Sequence, residues 1–286
     1  ADVYLFNTPV LPLLLRSGTF VVIALDFAYR YVPVESLRDR IINSILGWHH
    51  GYSLKRADQV VAISEATKRE AMKLHGISEE KITVVYPGFT KICNLPEEQI
   101  EVPQKFFFFV GVLKGRKNPF SAVKAFIQFH KKHPDFSFVI AGKGSGPYYN
   151  EMIEYIREHN AEEWVTFTGF ISDNQLSFLY KHAYALVFPS LFEGGFGLPI
   201  VEAMDCGLPV ITSGQGPYES MEETTKDAAL LVDPLDEGDI ARAMERIAEE
   251  DGLRESLIQK GRTRAKHFSW EGAALGIHKA IKTAHS

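Results

Sequence analysis

Two carboxylates, Glu193 and Glu202, bracket a glycine-rich segment, Gly194-Gly195-Phe196-Gly197, within the run from Pro189 to Met204. The apolar stretch 185–188 before it reads as a buried strand. Pro199 suits the first position of a short helix over 200–206, which Gly207 and Pro209 close. A strand that empties into glycine lets backbone approach a ligand closely. The helix start adds unpaired N–H groups and the positive end of a macrodipole, both of which favour phosphate. Glu202 lies about one turn into that helix, where its carboxylate can accept hydrogen bonds from sugar or ribose hydroxyls. Glu193 lies on the loop ahead of it. Glycine-rich strand-to-helix turns also occur as plain structure in α/β domains, so the segment needs support from elsewhere in the chain.

Other loops of the second half supply it. A strand over 106–110 is followed by Gly111-Val-Leu-Lys-Gly-Arg116-Lys117-Asn118, with Asn118 as N-cap and Pro119 in the first helical turn. Two cations beside a helix start would neutralise a diphosphate; alternatively they are solvated loop charges. The next strand ends in Gly142-Lys143-Gly144-Ser145-Gly146, where Pro147 departs from the dinucleotide spacing G-x-G-x-x-G and argues against a nicotinamide or flavin site. Lys143 reads as part of an ordinary turn. Gly169-Phe170-Ile171 follows a further strand and offers a flat base an apolar side chain and open backbone, although Phe170 is equally a core residue. Thr212, Ser213 and Gly214 end another strand, and their hydroxyls can be turn caps.

These loops are held by a regular alternation of strand and helix. Strands are expected over 106–110, 136–141, 165–169, 185–188, 209–212 and 229–232, with helices over 119–133, 148–159 and 174–183 and terminal helices over 239–249, 253–267 and after Ser269. Such alternation predicts an α/β, doubly wound parallel sheet, in which ligands bind outside the carboxyl ends of the strands. Residues 1–90 carry four further strand-like runs, at 2–6, 20–26, 59–63 and 81–86, and a helix that Ser64 caps and Gly76 ends. A helix over 37–55 sets Arg38, Arg40, Lys55 and Arg56 beside Ile41, Ile42, Ile45, Leu46 and Trp48, which fits either a membrane surface or packing on its own sheet. Residues 91–104, rich in proline and charge, read as a linker. The expected division is a partial first domain (1–90), that linker, a doubly wound second domain (105–268) and a C-terminal helix (269–286) packing back toward the first.

The bulk properties exclude several classes. With 31 basic and 36 acidic residues spread over 286, the chain has no nucleic-acid footprint. No apolar stretch reaches a bilayer span and no signal-peptide pattern opens the sequence. Cys93 and Cys206 are read as too few and too far apart for a disulfide framework or a zinc site. The expectation is a soluble cytoplasmic protein, peripheral at the inner membrane face if the 37–55 helix touches lipid.

The ordered motifs Arg116-Lys117-Asn118, Phe167-Thr-Gly-Phe170, Pro189-Ser190, Glu193 through Glu202, Cys206-Gly-Leu-Pro-Val210 and Ala228-Ala-Leu-Leu-Val-Asp-Pro234 resemble the retaining glycosyltransferases of family 4, in the mannosyltransferase-like branch. The likeness runs from about residue 56 to Trp270. It implies a GT-B fold, two Rossmann-like domains facing a cleft, with the acceptor mostly on the first and a nucleoside-diphosphate sugar, UDP- or GDP-linked, mostly on the second. It further implies that no metal or cofactor is bound, that Arg116 and Lys117 neutralise the donor diphosphate, and that Glu202 holds ribose hydroxyls. Glu193 would stand near the transferred sugar, and the N–H groups of Phe196, Gly197 and Leu198 would bind phosphate or sugar oxygens. Gly111, Gly142, Lys143, Phe170 and Ile171 would line the rest of the donor site, and Asp26 would contact the acceptor, a glycan or lipid-linked molecule.

The chain departs from that pattern in three places. The family separates its two glutamates by seven residues, whereas eight separate Glu193 from Glu202, so counting back from Glu202 reaches Gly194. Where the family often has His-Asp in the first domain, this sequence has Leu25-Asp26. Family members also carry strands ahead of the equivalent of Asp2, so a shortened chain, or a second chain completing the domain, is expected. The competing reading is a catalytically silent donor-binding subunit; a nicotinamide oxidoreductase is disfavoured by the failed glycine spacing.

Overall fold

The computed structural model describes residues 3–14, 17–31, 36–214 and 219–285, so Asp2, where the first expected strand begins, lies outside the described residues. The chain divides into two compact units, Ala1–Gly88 with Glu193–Phe196 and Phe268–Ser286, and Phe89–Phe192 with Gly197–His267.

The first unit is built on four parallel strands, β1 (Val3–Phe6), β2 (Thr19–Ala24), β3 (Gln59–Ala62) and β4 (Ile82–Val84), in that spatial order. Period-two alternation sorts their side chains onto two faces. Phe20, Val22, Ala24, Val60 and Ala62 form one core with residues of α1 (Leu37–Arg56) and α2 (Glu65–His75). Val21 and Val61 face the other way, against Ala273 and Ala280 of the C-terminal helix α10 (Trp270–His285). Ser64 caps α2 by accepting from the Thr67 N–H at 3.0 Å, and Gly76 ends it in the left-handed conformation.

Helix α1, read as facing either a membrane surface or its own sheet, buries only part of its length. Packing on its own sheet is confined to its C-terminal end, where His50, Ser53 and Leu54 are the buried residues. Leu37 (74 % exposed), Ile41, Ile42, Ile45 and Trp48 (61 %) lie bare to solvent, with Arg38 and Arg40 exposed among them.

The second unit carries six parallel strands: β5 (Phe106–Val110), β6 (Ser137–Ala141), β7 (Val165–Gly169), β8 (Ala185–Phe188), β9 (Val210–Ser213) and β10 (Leu230–Val232). Their order is β10-β9-β8-β5-β6-β7. The chain thus walks outward from β5 to β7, returns, and walks the other way from β8 to β10, so the order reverses between β5 and β8. Such a switch point is where open parallel sheets hold ligands. The central strand β5 is almost pure phenylalanine, and Phe106 to Phe109 are all fully buried because helices cover both faces.

The helices are α3 (Pro119–His130), α4 (Pro147–Glu158), α5 (Asp173–His182), α6 (Leu198–Cys206), α7 (Glu219–Thr225), α8 (Glu237–Glu249) and α9 (Leu253–Ala265). Ser172 and Gln175 start α5 with a reciprocal capping box. Helix α7 was not expected, because its run of Glu and Thr carries no periodic apolar signal.

Segment 89–104 belongs to the second unit and is fastened there. Glu98 accepts from Ser172 and Gln175, and Glu97 pairs with Lys181 at 2.9 Å and His182 at 2.8 Å. Cys93 and Cys206 are joined in a disulfide across 113 residues, contrary to the expectation from their separation. The turn Ile92–Asn94 packs on α6 and brings their Cα atoms to 5.5 Å, well within bridging distance.

Candidate active site

In the second unit the carboxyl ends of β5, β6 and β7 are tied into one platform. The Gly111 N–H donates to the Ala141 carbonyl at 2.9 Å, Gly142 to Gly169 at 2.8 Å and Leu113 to Lys143 at 3.0 Å. Gly142 has φ +148°, and a Cβ there would land on the Gly111 carbonyl. Only glycine allows the two loops to lie that close.

On the other side of β5, the loop carrying the cations is stitched to the loop leaving β8. Leu191 N–H and Ser190 Oγ both donate to the Arg116 carbonyl, at 2.9 and 3.0 Å, and Arg116 Nη1 donates to the Phe192 carbonyl at 2.8 Å. Ser213 Oγ holds the Ser190 carbonyl at 2.8 Å, fastening the end of β9 to the same loop. Lys117 is only 9 % exposed, with Nζ 5.0 Å above the Phe188 ring. Asn118 occupies the start of α3 but differs from expectation. It is left-handed (φ +54°), and its amide donates to the Pro234 carbonyl at 2.8 Å instead of capping the helix. Asn tolerates that conformation better than most residues.

Helix α6 begins at this switch point, capped by Gly197 in the left-handed region (φ +72°) with Pro199 in its first turn. Glu202 projects from its second turn. The Tyr180 hydroxyl of α5 lies 3.0 Å from Glu202 Oε2 and 3.3 Å from the Pro199 carbonyl. Burial pushes the Glu202 carboxyl up to about 7, the Tyr180 hydrogen bond opposes that rise, and the charge of Asp173 adds to it. Burial likewise holds the Tyr180 phenol well above its usual value. Glu202 is therefore a carboxylate poised between its charged and neutral forms near pH 7.

Phe170, whose reading as core or ligand platform was open, is 78 % exposed, and Lys143 Nζ stands 5.4 Å over its ring. Ile171 beside it is half-buried. The turn lysine and the exposed ring thus share one edge of the platform. A cavity of about 640 Å³ lined by Ile100, Val102, Phe106, Phe178 and His182 opens at the opposite, amino-terminal end of β5, away from these loops.

The remaining expected residues cluster in the first unit. Asp26 follows β2, with Oδ1 accepting from the Ala28 N–H at 2.8 Å. Gly194 lies close against the Asp26 side chain, which a Cβ there would have to displace. Gly195 (φ +81°) approaches Thr67 and Ser64 at the start of α2, and its N–H donates to the Glu193 carbonyl. Phe196 is buried edge-on against Phe268, with ring centroids 4.9 Å apart. Glu193 is buried as well. Both members of the glycine pair lie close against side chains of the first unit, Gly194 on Asp26 and Gly195 on Thr67. The carboxyl ends of β2 and β3, with Asp26, Ser64 and Thr67, form a second loop cluster. Ser64 entered the sequence reading only as a helix cap, and Thr67 did not enter it. Tyr180 and Ser190 were not anticipated as parts of a site, although a tyrosine in a buried helix stripe signals that its hydroxyl has a partner.

Comparison with known proteins fits these features. Residues 94–264 match the family described as "Glycosyl transferases group 1". Residues 8–90 match "Glycosyltransferase Family 4". O-antigen chain mannosyltransferase B of Escherichia coli is 27 % identical over 98 % of this chain and 74 % of its own length. O-antigen chain mannosyltransferase RfbU of Salmonella typhimurium is 32 % identical over 65 % of this chain and 49 % of its own. The chain thus spans about three quarters of one curated relative and half of the other. Among solved structures, sucrose-phosphate synthase from Thermosynechococcus elongatus superposes with TM-score 0.72 at 25 % identity, covering 92 % of this chain and 67 % of that one. Anabaena HepE, solved in complex with UDP, superposes with TM-score 0.76 at 19 % identity, covering 93 % and 72 %. The chain belongs to the glycosyl transferases group 1 family, with its first domain matching Glycosyltransferase Family 4, and has the GT-B type of architecture built on two Rossmann-like sheets.

Proposed function

We propose that this chain transfers a hexosyl residue, mannose or glucose, from a UDP- or GDP-linked donor to a glycan or lipid-linked acceptor, with retention of configuration and without a metal ion. The observation that carries the donor side of this reading is the convergence, at the switch point of the second sheet, of the Arg116–Lys117 loop with the glycine-capped start of α6. Arg116, Lys117 and the N–H groups at Gly197 and Leu198 supply positive charge where a nucleoside diphosphate departs, which is stabilisation aimed at charge that develops in the transition state. Glu202 takes the ribose hydroxyls. The base lies against Phe170 and Ile171, beside Lys143, on the platform that Gly111 and Gly142 keep open.

In the transfer step the bond from the sugar's anomeric carbon to the diphosphate oxygen breaks. A bond from the same carbon to an acceptor hydroxyl oxygen forms on the same face. The acceptor's proton passes to the departing diphosphate oxygen. Glu193 and the Phe196 N–H serve the transferred sugar, and Asp26 serves the acceptor. A glycosyl adduct trapped on Glu193 would replace this same-face route with a double displacement.

The lipid-linked form of the acceptor is supported by α1, whose exposed stripe of Leu37, Ile41, Ile45 and Trp48 lies beside Arg38 and Arg40. An apolar face with an interfacial tryptophan and flanking arginines suits the surface of an anionic bilayer. Among the described residues no helix is long and apolar enough to cross a membrane.

A second reading, a donor-binding chain that requires a partner for transfer, draws on the exposed Tyr4 and Leu5 of β1 and the nearby Leu13 and Leu14. Calorimetric titration with UDP and with GDP, first without metal and then with magnesium, tests the donor site; saturation by neither would sink the leading proposal. Incubation with the matching nucleotide sugar then separates the two readings, since only the enzyme hydrolyses or transfers the donor by itself. Proton NMR of the product's anomeric centre reports retention or inversion.

A further inference from the structure

We propose that the Tyr180 hydroxyl is a positioning group for nucleotide binding: it fixes one oxygen of Glu202 and leaves the other as the acceptor for the ribose. This inference rests on the donor-site reading above.

The phenol is anchored from behind. Tyr180 is 1 % exposed and its ring stands edge-on to Phe108 of the central strand β5, with centroids 5.6 Å apart and planes at 84°. A ring so packed has one place to put its hydroxyl. That place is between two acceptors, Glu202 Oε2 at 3.0 Å and the Pro199 carbonyl at 3.3 Å, both on α6. A phenol has a single proton and can satisfy only one of them at a time. While Glu202 is ionised the charged oxygen is the stronger acceptor and takes the proton. Once Glu202 is protonated, its own O–H can donate to the phenol oxygen, and the phenol proton is free to turn to the Pro199 carbonyl. The pair is therefore a two-state arrangement whose charged state holds Oε2. Oε1 of Glu202 accepts no hydrogen bond among the described residues.

The groups that set this balance come from two helices. Asp173 at the start of α5 raises the Glu202 carboxyl, and the Tyr180 hydroxyl opposes that rise. Among the described residues, Tyr180 and Asp173 are the titratable groups that act on Glu202; α7, which also packs on α6, carries Glu222 and Glu223 without acting on it. The turn Ile92–Asn94 presents Cys93, which is in the disulfide, and Arg262 of α9 reaches α6 at its far end, beside Gly207. Removing the hydroxyl should thus do two things: weaken nucleotide binding, and push the ionisation of Glu202 to higher pH.

The test is calorimetric titration of the whole chain with UDP and GDP between pH 5 and 9, using wild type, Tyr180→Phe, Glu202→Gln and the double variant. In the wild type, affinity should rise with a midpoint near pH 7. Tyr180→Phe should lose about tenfold at pH 7, the size of one hydrogen bond to a charged group, with its midpoint displaced upward. In the Glu202→Gln background the same change should have no further effect. If Glu202→Gln leaves affinity and its pH profile intact, the ribose assignment itself fails. If Glu202→Gln weakens binding but Tyr180→Phe keeps the wild-type midpoint, only the present inference is overturned. Should Tyr180→Phe not fold, wild type labelled with ¹³Cζ-tyrosine decides the matter. The Tyr180 signal should shift with the Glu202 midpoint and lose that shift in Glu202→Gln; a signal indifferent to pH between 5 and 9 would refute the coupling.

Discussion

Helices α1 and α3 occupy comparable places, each lying beside a parallel sheet, and they treat their apolar residues in opposite ways. Of the twelve residues of α3, nine are buried, including Phe120, Val123, Phe126 and Phe129. Of the twenty in α1, three are buried, and two of those are polar. The stripe Leu37, Ile41, Ile45 and Trp48 is apolar as well, yet each of its residues is more than half exposed. Apolar periodicity therefore marks a face that can be covered without saying what covers it. In α3 the cover is the second unit's own core; in α1 it is left to something else, for which the proposed bilayer surface supplies the chemistry.

Four measurements would sharpen or break that contrast. The largest effect is expected from Phe126→Ala, which empties a fully enclosed site between α3 and β6 and should destabilise the second unit by about 3–5 kcal/mol. Denaturant unfolding of the whole chain, read with probes in each unit, should show that loss in the second unit alone. Reduction of Cys93–Cys206 comes next. Opening a cross-link over 113 residues should cost the same unit about 2–4 kcal/mol; an unchanged midpoint under reductant would mean the bridge contributes little.

The first unit should instead respond to acid. Burial, with the nearby charges of His75 and His49, lowers His50 to about 4. From the ordinary value of 6.5 down to about 4, the unfolded chain binds a proton that the folded unit refuses, so stability falls with pH across that window, by at most about 3 kcal/mol. His75 is lowered too and acts in the same direction. Replacing His50 by Gln should flatten the slope; an equal slope in the variant would move its origin elsewhere. The smallest stability change is expected at the bare stripe. Ile41→Ser with Ile45→Ser should alter unfolding by less than about 0.5 kcal/mol, yet remove sedimentation with vesicles containing anionic lipid. A large loss of stability would show that the stripe is covered after all.

Much of the second unit was legible from the chain alone. Every expected strand from Phe106 onward is present, and the loops that end them are the ones that carry glycine and charge. That success has a local cause: proline, glycine and runs of large apolar residues act through backbone dihedrals and periodicity, which need no distant partner. Where a distant partner decides, the reading fell short. The amide of Asn118 is claimed by Pro234, more than a hundred residues away. Gly194 and Gly195 gave no sign in sequence that Asp26 and Thr67 lie against them.

The order and spacing of residues determined the parallel α/β class, the family, and the chemistry available at the strand ends, because residue type and local geometry suffice for each. Burial and proximity belong to the assembled chain. The pairing of Cys93 with Cys206, and a Glu202 carboxyl that burial raises while the Tyr180 hydroxyl opposes the rise, come from contacts between residues far apart in sequence. No window of sequence contains the neighbours that create them.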